Sequence, residues 1–175
     1  TLTALAQARK HQLSAAQEVH RYNRDADEAT VALADKAAVV ASDDFGKDLD
    51  TVVALQTEHA NTLRVLAATL AVKVDALSTE CARLCESQPP VAEELQTRQT
   101  SINDSWKQLQ ANAERRKEKL NESKNYQSFL KDYHDLASWI SGADKQASSD
   151  ELAAEVGGAE ELLKRHQELQ SEIDA

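Results

Sequence analysis

The chain has 175 residues, 41% of them hydrophobic and only 4% aromatic, and carries a formal net charge of −10. That length allows a sizeable core, while the acidic balance argues against nucleic acid as a main partner. Four glycines and two prolines leave too few turns for a sheet fold, which needs one about every 8–12 residues.

Ala, Leu, Glu, Lys, Gln and Arg dominate instead, and these are the strong helix formers. The fold class is therefore all-α. No apolar run of about 18 residues is present to span a membrane, and the sequence does not open on a signal-peptide pattern. Both ends lie inside helical patterns, so the sequence reads as a segment of a longer chain, whose targeting signals would lie elsewhere.

Helix breakers divide the chain into helices over about 1–41, 44–86, 91–146 and 149–175. Ser42-Asp43-Asp44 with Gly46 offers side-chain acceptors for a helix start. Ser87-Gln88-Pro89-Pro90 stops the second helix, and its second proline suits the first turn of the third. Gly142 to Asp150 closes the third, where Ser148 and Glu151 have capping-box spacing.

The second helix carries a heptad seam through Leu49, Val52, Leu63, Leu66, Leu70, Leu77 and Leu84, with Gln56, His59, Lys73 and Glu80 between them. The third continues the pattern through Leu95, Ile102, Trp106, Leu109, Ala113, Leu120, Leu130 and Ala137. Helices joined by short turns along such seams predict an antiparallel three-helix bundle. Nothing from Val91 to Ser141 breaks a helix, and about 50 residues at 1.5 Å each span roughly 75 Å. That is too long for one bundle. It predicts a helix shared by two bundles, with a continuous helical linker near Leu120 to Tyr126 and another near Leu13 to Val19.

A constant offset supports this. Leu2, Ala6, Arg9, Lys10 and Leu13 recur 107 positions on as Leu109, Ala113, Arg116, Lys117 and Leu120. The same offset takes Asp25 to Asp132, Ser42-Asp43 to Ser149-Asp150, Leu55 to Leu162 and His59 to His166, without a gap. A fixed period marks tandem structural units, each buried partly by its neighbours. The expected division is residues 1–19 as the end of one unit's last helix, 20–126 as a complete unit, and 127–175 as the first helix and part of the second helix of the next. Leu152, Leu162, Leu163, Leu169 and Ile173, with Trp139 and Ile140, are then expected beside an unfilled third-helix groove.

At this point the chain resembles the spectrin repeat. The resemblance rests on Trp106, Leu109, Ala113, Arg116 and Leu120, then Phe129-Leu130, Asp132, Leu136 and Ser138-Trp139-Ile140. Ser149-Asp150-Glu151-Leu152 and Leu162-Leu163-Lys164-Arg165-His166-Gln167 extend it. Within the family, His20-Arg21-Tyr22, Arg24 to Glu28, Ser42 to Leu49 and Gly158 to Gln167 are most similar to phrases of spectrin alpha chains. One landmark departs from the pattern: the position of Trp139 is occupied by Ala32 in the preceding unit, which predicts a looser core there. The resemblance implies tandem antiparallel three-helix bundles in a rod, with Trp106, Trp139, Leu109, Leu120, Leu63 and Leu70 in the core. It also implies an elastic spacer in a membrane skeleton at the cytoplasmic face of the plasma membrane, side-by-side association with beta spectrin, and linkage to actin through other parts of the chain.

Chemistry-bearing residues are sparse. His11, His20, His59, His134 and His166 form no zinc pattern, and His59 with His166 is expected to pack in the bundle. Cys81 and Cys85, one helical turn apart, suit reduced thiols better than a metal site. The acidic loop from Ser42 fails as a calcium loop, because Ala41 and Phe45 fall where oxygen ligands are needed. No phosphate loop, nucleophile elbow or carboxylate pair points to an enzyme, and no cofactor is implied. Arg115, Arg116, Lys117 and Lys119, with Lys124, form a basic stretch that suits anionic lipid or an acidic partner, although Glu114, Glu118 and Glu122 are spaced to pair with it. An adaptor- or lipid-binding module on a rod of alpha-actinin or dystrophin type is the alternative reading.

Overall fold

A computed structural model describes residues 1–174. It is 89% helical, with no strand among the described residues. Helix α1 spans Leu2–Val40, α2 Leu49–Leu66, α3 Val72–Ser87, α4 Ala92–Ala147 and α5 Val156–Ile173. A π-helical turn, Ala67–Ala71, joins α2 to α3, and a 3₁₀ turn, Pro89–Val91, leads into α4. Two compact units divide the chain, Thr1–Lys124 and Asn125–Ala175. Among the described residues no helix is long and apolar enough to cross a membrane.

In the first unit, side-chain bonds fix the helix directions. Glu18 meets Arg83 and Glu28 meets Lys73, so α1 and α3 run antiparallel. Tyr22 meets Gln99 near one end and the Ser42 carbonyl meets Arg116 near the other, so α1 and α4 run parallel. This is the expected antiparallel three-helix bundle. Its core gathers Tyr22, Ala26, Ala29 and Leu33 of α1, Leu66 to Leu84 at seam spacing, and Leu95, Ile102, Leu109 and Ala113 of α4. Trp106 and Leu63 lie partly buried against this cluster, as does Ala32. Tyr22, 1% exposed, is the bulkiest of the fully enclosed side chains. The aromatic anchor therefore sits on α1 rather than at Trp106.

The seam changes phase midway. Buried residues follow at Val52, His59 and Leu66, then at Leu70, Val74, Leu77, Cys81 and Leu84. Leu66 to Leu70 and Leu70 to Val74 are consecutive steps of four where a heptad alternates three and four, so one residue is extra. A straight α-helix would carry that residue forward as a rotation of about 100°. The π turn at Ala67–Ala71 takes more residues per turn and absorbs it. Two sequence expectations are corrected here. Val74, not Lys73, enters the core at 3% exposure, and Lys73 turns outward to Glu28 at 3.0 Å. Cys81, not Glu80, takes the next seam position.

Helix starts also differ from the sequence reading. The second helix begins at Leu49, not near 44, with Asp48 as N-cap: its carboxylate accepts from the Thr51 N–H at 2.8 Å, while the Thr51 hydroxyl oxygen accepts from the Asp48 N–H at 3.2 Å. Upstream the loop bonds to itself, the Ser42 hydroxyl accepting from Asp44 N–H and the Asp44 carboxylate from Gly46 N–H. Gly46 has φ +80°, and a Cβ there would lie 2.7 Å from Val52 Cγ2, so the chain turns before the helix can start.

In the second unit α5 begins at Val156 after Glu155, without a side-chain cap. Ser148 closes α4 instead, its hydroxyl donating to the Asp144 carbonyl at 2.6 Å, and the expected Ser148–Glu151 capping box does not form. Leu169 is buried, whereas Leu152 is 92% and Trp139 41% exposed. Trp139, which the resemblance places in the core, lies at the surface beside the groove expected to be unfilled, and its indole N–H reaches Glu172 at 3.4 Å.

The extra residue has a measurable signature. Deleting Ala68 should let the turn relax to α-helix with every later seam residue in place, changing stability in urea by no more than about 1 kcal/mol. Inserting a second alanine after Ala68 should cost several kcal/mol, since whole core side chains, each contributing about 1.5–3 kcal/mol, rotate out of contact. Equal losses for both variants would reject the phase argument.

Candidate functional site

Two polar constellations lie in the first unit, one towards each end of the bundle. The first surrounds the loop between α1 and α2. Arg116 occupies the α4 seam between Ala113 and Leu120 and is only 9% exposed. Its guanidinium donates to the Ser42 carbonyl and, at 3.0 Å, to the Asp44 carbonyl. The same guanidinium stands 5.5 Å from the Phe45 ring centroid and Lys119 stands 5.3 Å from it, both within cation–π range.

The Ser123 hydroxyl donates to the Phe45 carbonyl at 2.8 Å, and Gln56 donates to Asn121 at 2.7 Å. Buried His59 lies 2.9 Å from the Ala113 carbonyl through Nε2. A carbonyl only accepts, so that nitrogen carries a proton. Three successive turns of α4 thus hold the loop and the start of α2. The small cavity beside this clasp, about 210 Å³, is lined by Ser42, Asp44, Leu55, His59 and Arg116. The equivalent corner of the second unit, lined by Ser149, Glu151, Leu162 and His166, is an open cavity of about 840 Å³. In the first unit the Arg116 guanidinium lines this corner.

The second constellation joins all three helices. The Tyr22 hydroxyl donates to Gln99 Oε1 at 2.9 Å, and Gln99 Nε2 donates to Ser78 and Asn103 at 2.8 and 2.9 Å. Burial pushes the Tyr22 phenol well above its usual pKa, so it stays a neutral donor. Outside it, Arg83 bridges Glu18 and Glu80 at 2.9 and 2.8 Å. Hydrogen bonding from Arg83 holds the Glu80 carboxyl below its usual range.

Each residue singled out in the sequence now has a place. Leu109 and Leu120 are fully buried, Leu70 is buried, and Leu63 and Trp106 are partly buried. The basic stretch is divided. Arg116 is turned inward and used by the loop, Lys119 lies over Phe45, and Lys117 pairs with Glu114 at 2.7 Å. Arg115 remains exposed. A continuous cationic surface does not result, and Arg116 is corrected from a contact residue to a loop clasp. Among the described residues no group of three or more His, Cys, Asp or Glu is placed to hold a metal ion.

Comparison with known proteins accords with this architecture. The family model for the spectrin repeat matches residues 17–122 and 124–175. Spectrin alpha chain, erythrocytic 1, of Mus musculus is 38% identical over 99% of this chain. Spectrin beta chain, erythrocytic, of the same organism is 32% identical over 98%, and spectrin beta chain, non-erythrocytic 5, of Homo sapiens 35% over 95%. The chain spans 7%, 8% and 4% of the lengths of those relatives.

Replacing Arg116 with Met keeps much of the volume but leaves two carbonyls without a donor, so it should cost about 2–4 kcal/mol in urea titration, with faster amide exchange at 43–47. Arg116→Lys should recover only part, because an ammonium lacks the planar fork. An unchanged midpoint for Arg116→Met would dismiss the clasp.

The cap carries a pH signature. The Thr51 backbone N–H, and then its side chain, hold the Asp48 carboxyl below its usual value. Its stabilising effect is therefore present above the unfolded aspartate pKa of about 4 and is lost as pH falls through the lower folded value. Asp48→Asn should flatten the acid limb of the stability curve below about pH 4, and an unaltered limb would reject this assignment.

Proposed function

We propose, from the fact that the chain belongs to the spectrin repeat family, how this piece of structural rod works. Residues 20–126 form one complete repeat, 1–19 the end of the last helix of the repeat before it, and 127–175 the first helix and part of the second helix of the repeat after it. The observation that carries this is the junction of the two family matches at 122 and 124, which falls inside the unbroken helix Ala92–Ala147. Successive repeats share backbone hydrogen bonds there, so loosening one frays the start of the next.

The role that follows is an elastic spacer. Tension is taken up by reversible loss of helix packing within a repeat, and helical continuity spreads that loss to its neighbour. By kinship with alpha and beta spectrin chains, the rod lies alongside beta spectrin and belongs to a membrane skeleton at the inner face of the plasma membrane, linked to actin through other parts of the full chain. Arg116 and Lys119, being engaged by the loop, favour this reading over a basic docking patch.

The test is a longer tandem carrying Lys124→Pro. Lys124 is exposed and makes no contact in the loop clasp, so the substitution acts first on helix continuity, at about 3 kcal/mol. Unfolding should separate into two transitions, in denaturant and under force. One transition with an unchanged midpoint would show that repeats are not coupled through the helix.

A further inference from the structure

Cys81 and Cys85 are the only two cysteines of the chain. Their sulfurs lie 3.9 Å apart on successive turns of α3. The two thiols are not equivalent. Cys81 is buried at 4% exposure, whereas Cys85 is half-buried; both line an open groove between α3 and α4, together with Ser78, Gln96, Gln99 and Asn103. Cys85 Sγ faces the Ala92 carbonyl at 3.6 Å. It stands one turn before α3 ends at Ser87, where Pro89 and Pro90 follow. The more exposed sulfur thus rests against a nearly enclosed one, within a turn of the end of the helix.

We propose that this pair is a peroxide-responsive modification site, at which Cys85 is oxidised first and Cys81 resolves it to an intrahelical disulfide. The Cys85 thiolate attacks one oxygen of hydrogen peroxide. The O–O bond breaks, Cys85 becomes a sulfenic acid, and the other oxygen leaves as hydroxide and takes up a proton. Cys81 sulfur then attacks the sulfenyl sulfur, the S–O bond breaks, and water departs with the Cys81 proton. In sum two thiols lose two electrons and two protons, and one peroxide becomes two waters.

Helix geometry allows the bond but strains it. Residues four apart have Cβ atoms about 5–6 Å apart, and a disulfide needs about 3.5–4.5 Å. The last turn of α3 must therefore distort, which makes the bond easily reduced and the modification reversible. Burial pushes the Cys81 thiol above its usual pKa, in keeping with a resolving rather than an attacking role. Since Gln99 and Ser78 line the groove, the distortion reaches the network that holds Tyr22.

The experiment treats the reduced 175-residue chain with hydrogen peroxide, then blocks free thiols with N-ethylmaleimide and digests with trypsin. Cleavage after Arg83 separates the two cysteines, so the disulfide appears as two peptides joined through Cys81 and Cys85 and parted by reductant. Before oxidation, Cys85 should alkylate roughly tenfold faster than Cys81. In Cys81→Ser, a dimedone-reactive sulfenic acid should accumulate at Cys85, and in the parent it should not. Equal sulfenic acid in both, Cys85 oxidised beyond the sulfenic state with Cys81 still free, or Cys85-linked dimers as the main product would each overturn the proposal.

Discussion

A long helix contributes to a bundle only while its apolar stripe keeps facing its neighbours. At 100° per residue that condition is strict, since a single extra residue turns the following stripe towards water. The stretch from Val52 to Leu84 meets it with two α segments one residue out of step, reconciled by the π turn between them. Everything on α3 depends on that correction. It puts Val74 and Cys81 in the core, frees Lys73 for Glu28, and leaves Glu80 beside Arg83.

Polar groups add what the apolar seam lacks. Leu, Val and Ala at heptad spacing pack almost as well after a seven-residue slide, so the hydrophobic core alone tolerates several alignments. Tyr22, Gln99, Ser78 and Asn103 satisfy one another in one alignment only. A slide would leave buried donors unpaired at about 1–3 kcal/mol each. The exposed ion pairs between α1 and α3 contribute little individually, and their use is to favour the same alignment from outside.

The fold class, the bundle, the offset and most of the seam were legible in the sequence because they rest on composition and period. The phase change was not. Ala67 to Ala71 is as good an α-helix former as its flanks, and only the consecutive steps of four, from Leu66 to Leu70 to Val74, betray the extra residue. Helix starts were misjudged because Ser42 and Asp44 are capping residues as suitable as Asp48. The deciding signal was Gly46, whose left-handed backbone turns the chain before Asp48. Arg116 was read as one of a run of surface charges. Its spacing from Leu109, Ala113 and Leu120 places it on the apolar seam itself, and a charge in that position signals a buried partner. Tyr22 was legible too, at the head of a seam through Ala26, Ala29 and Leu33. For Trp139 the spacing told which way it faces, and its exposure follows from the unfilled groove expected beside it, which the core assignment drawn from the resemblance left out.

The two polar constellations lie about 17 residues apart along α4, from Gln99 to Arg116, which is close to 26 Å of helix. On α1 the matching partners are Tyr22 and the loop at Ser42. The first unit is therefore gauged at both ends by directional bonds instead of by the yielding fit of aliphatic side chains. The distance between those ends is thus set as between two pins: the aliphatic seam between them can loosen with temperature while both ends keep their register.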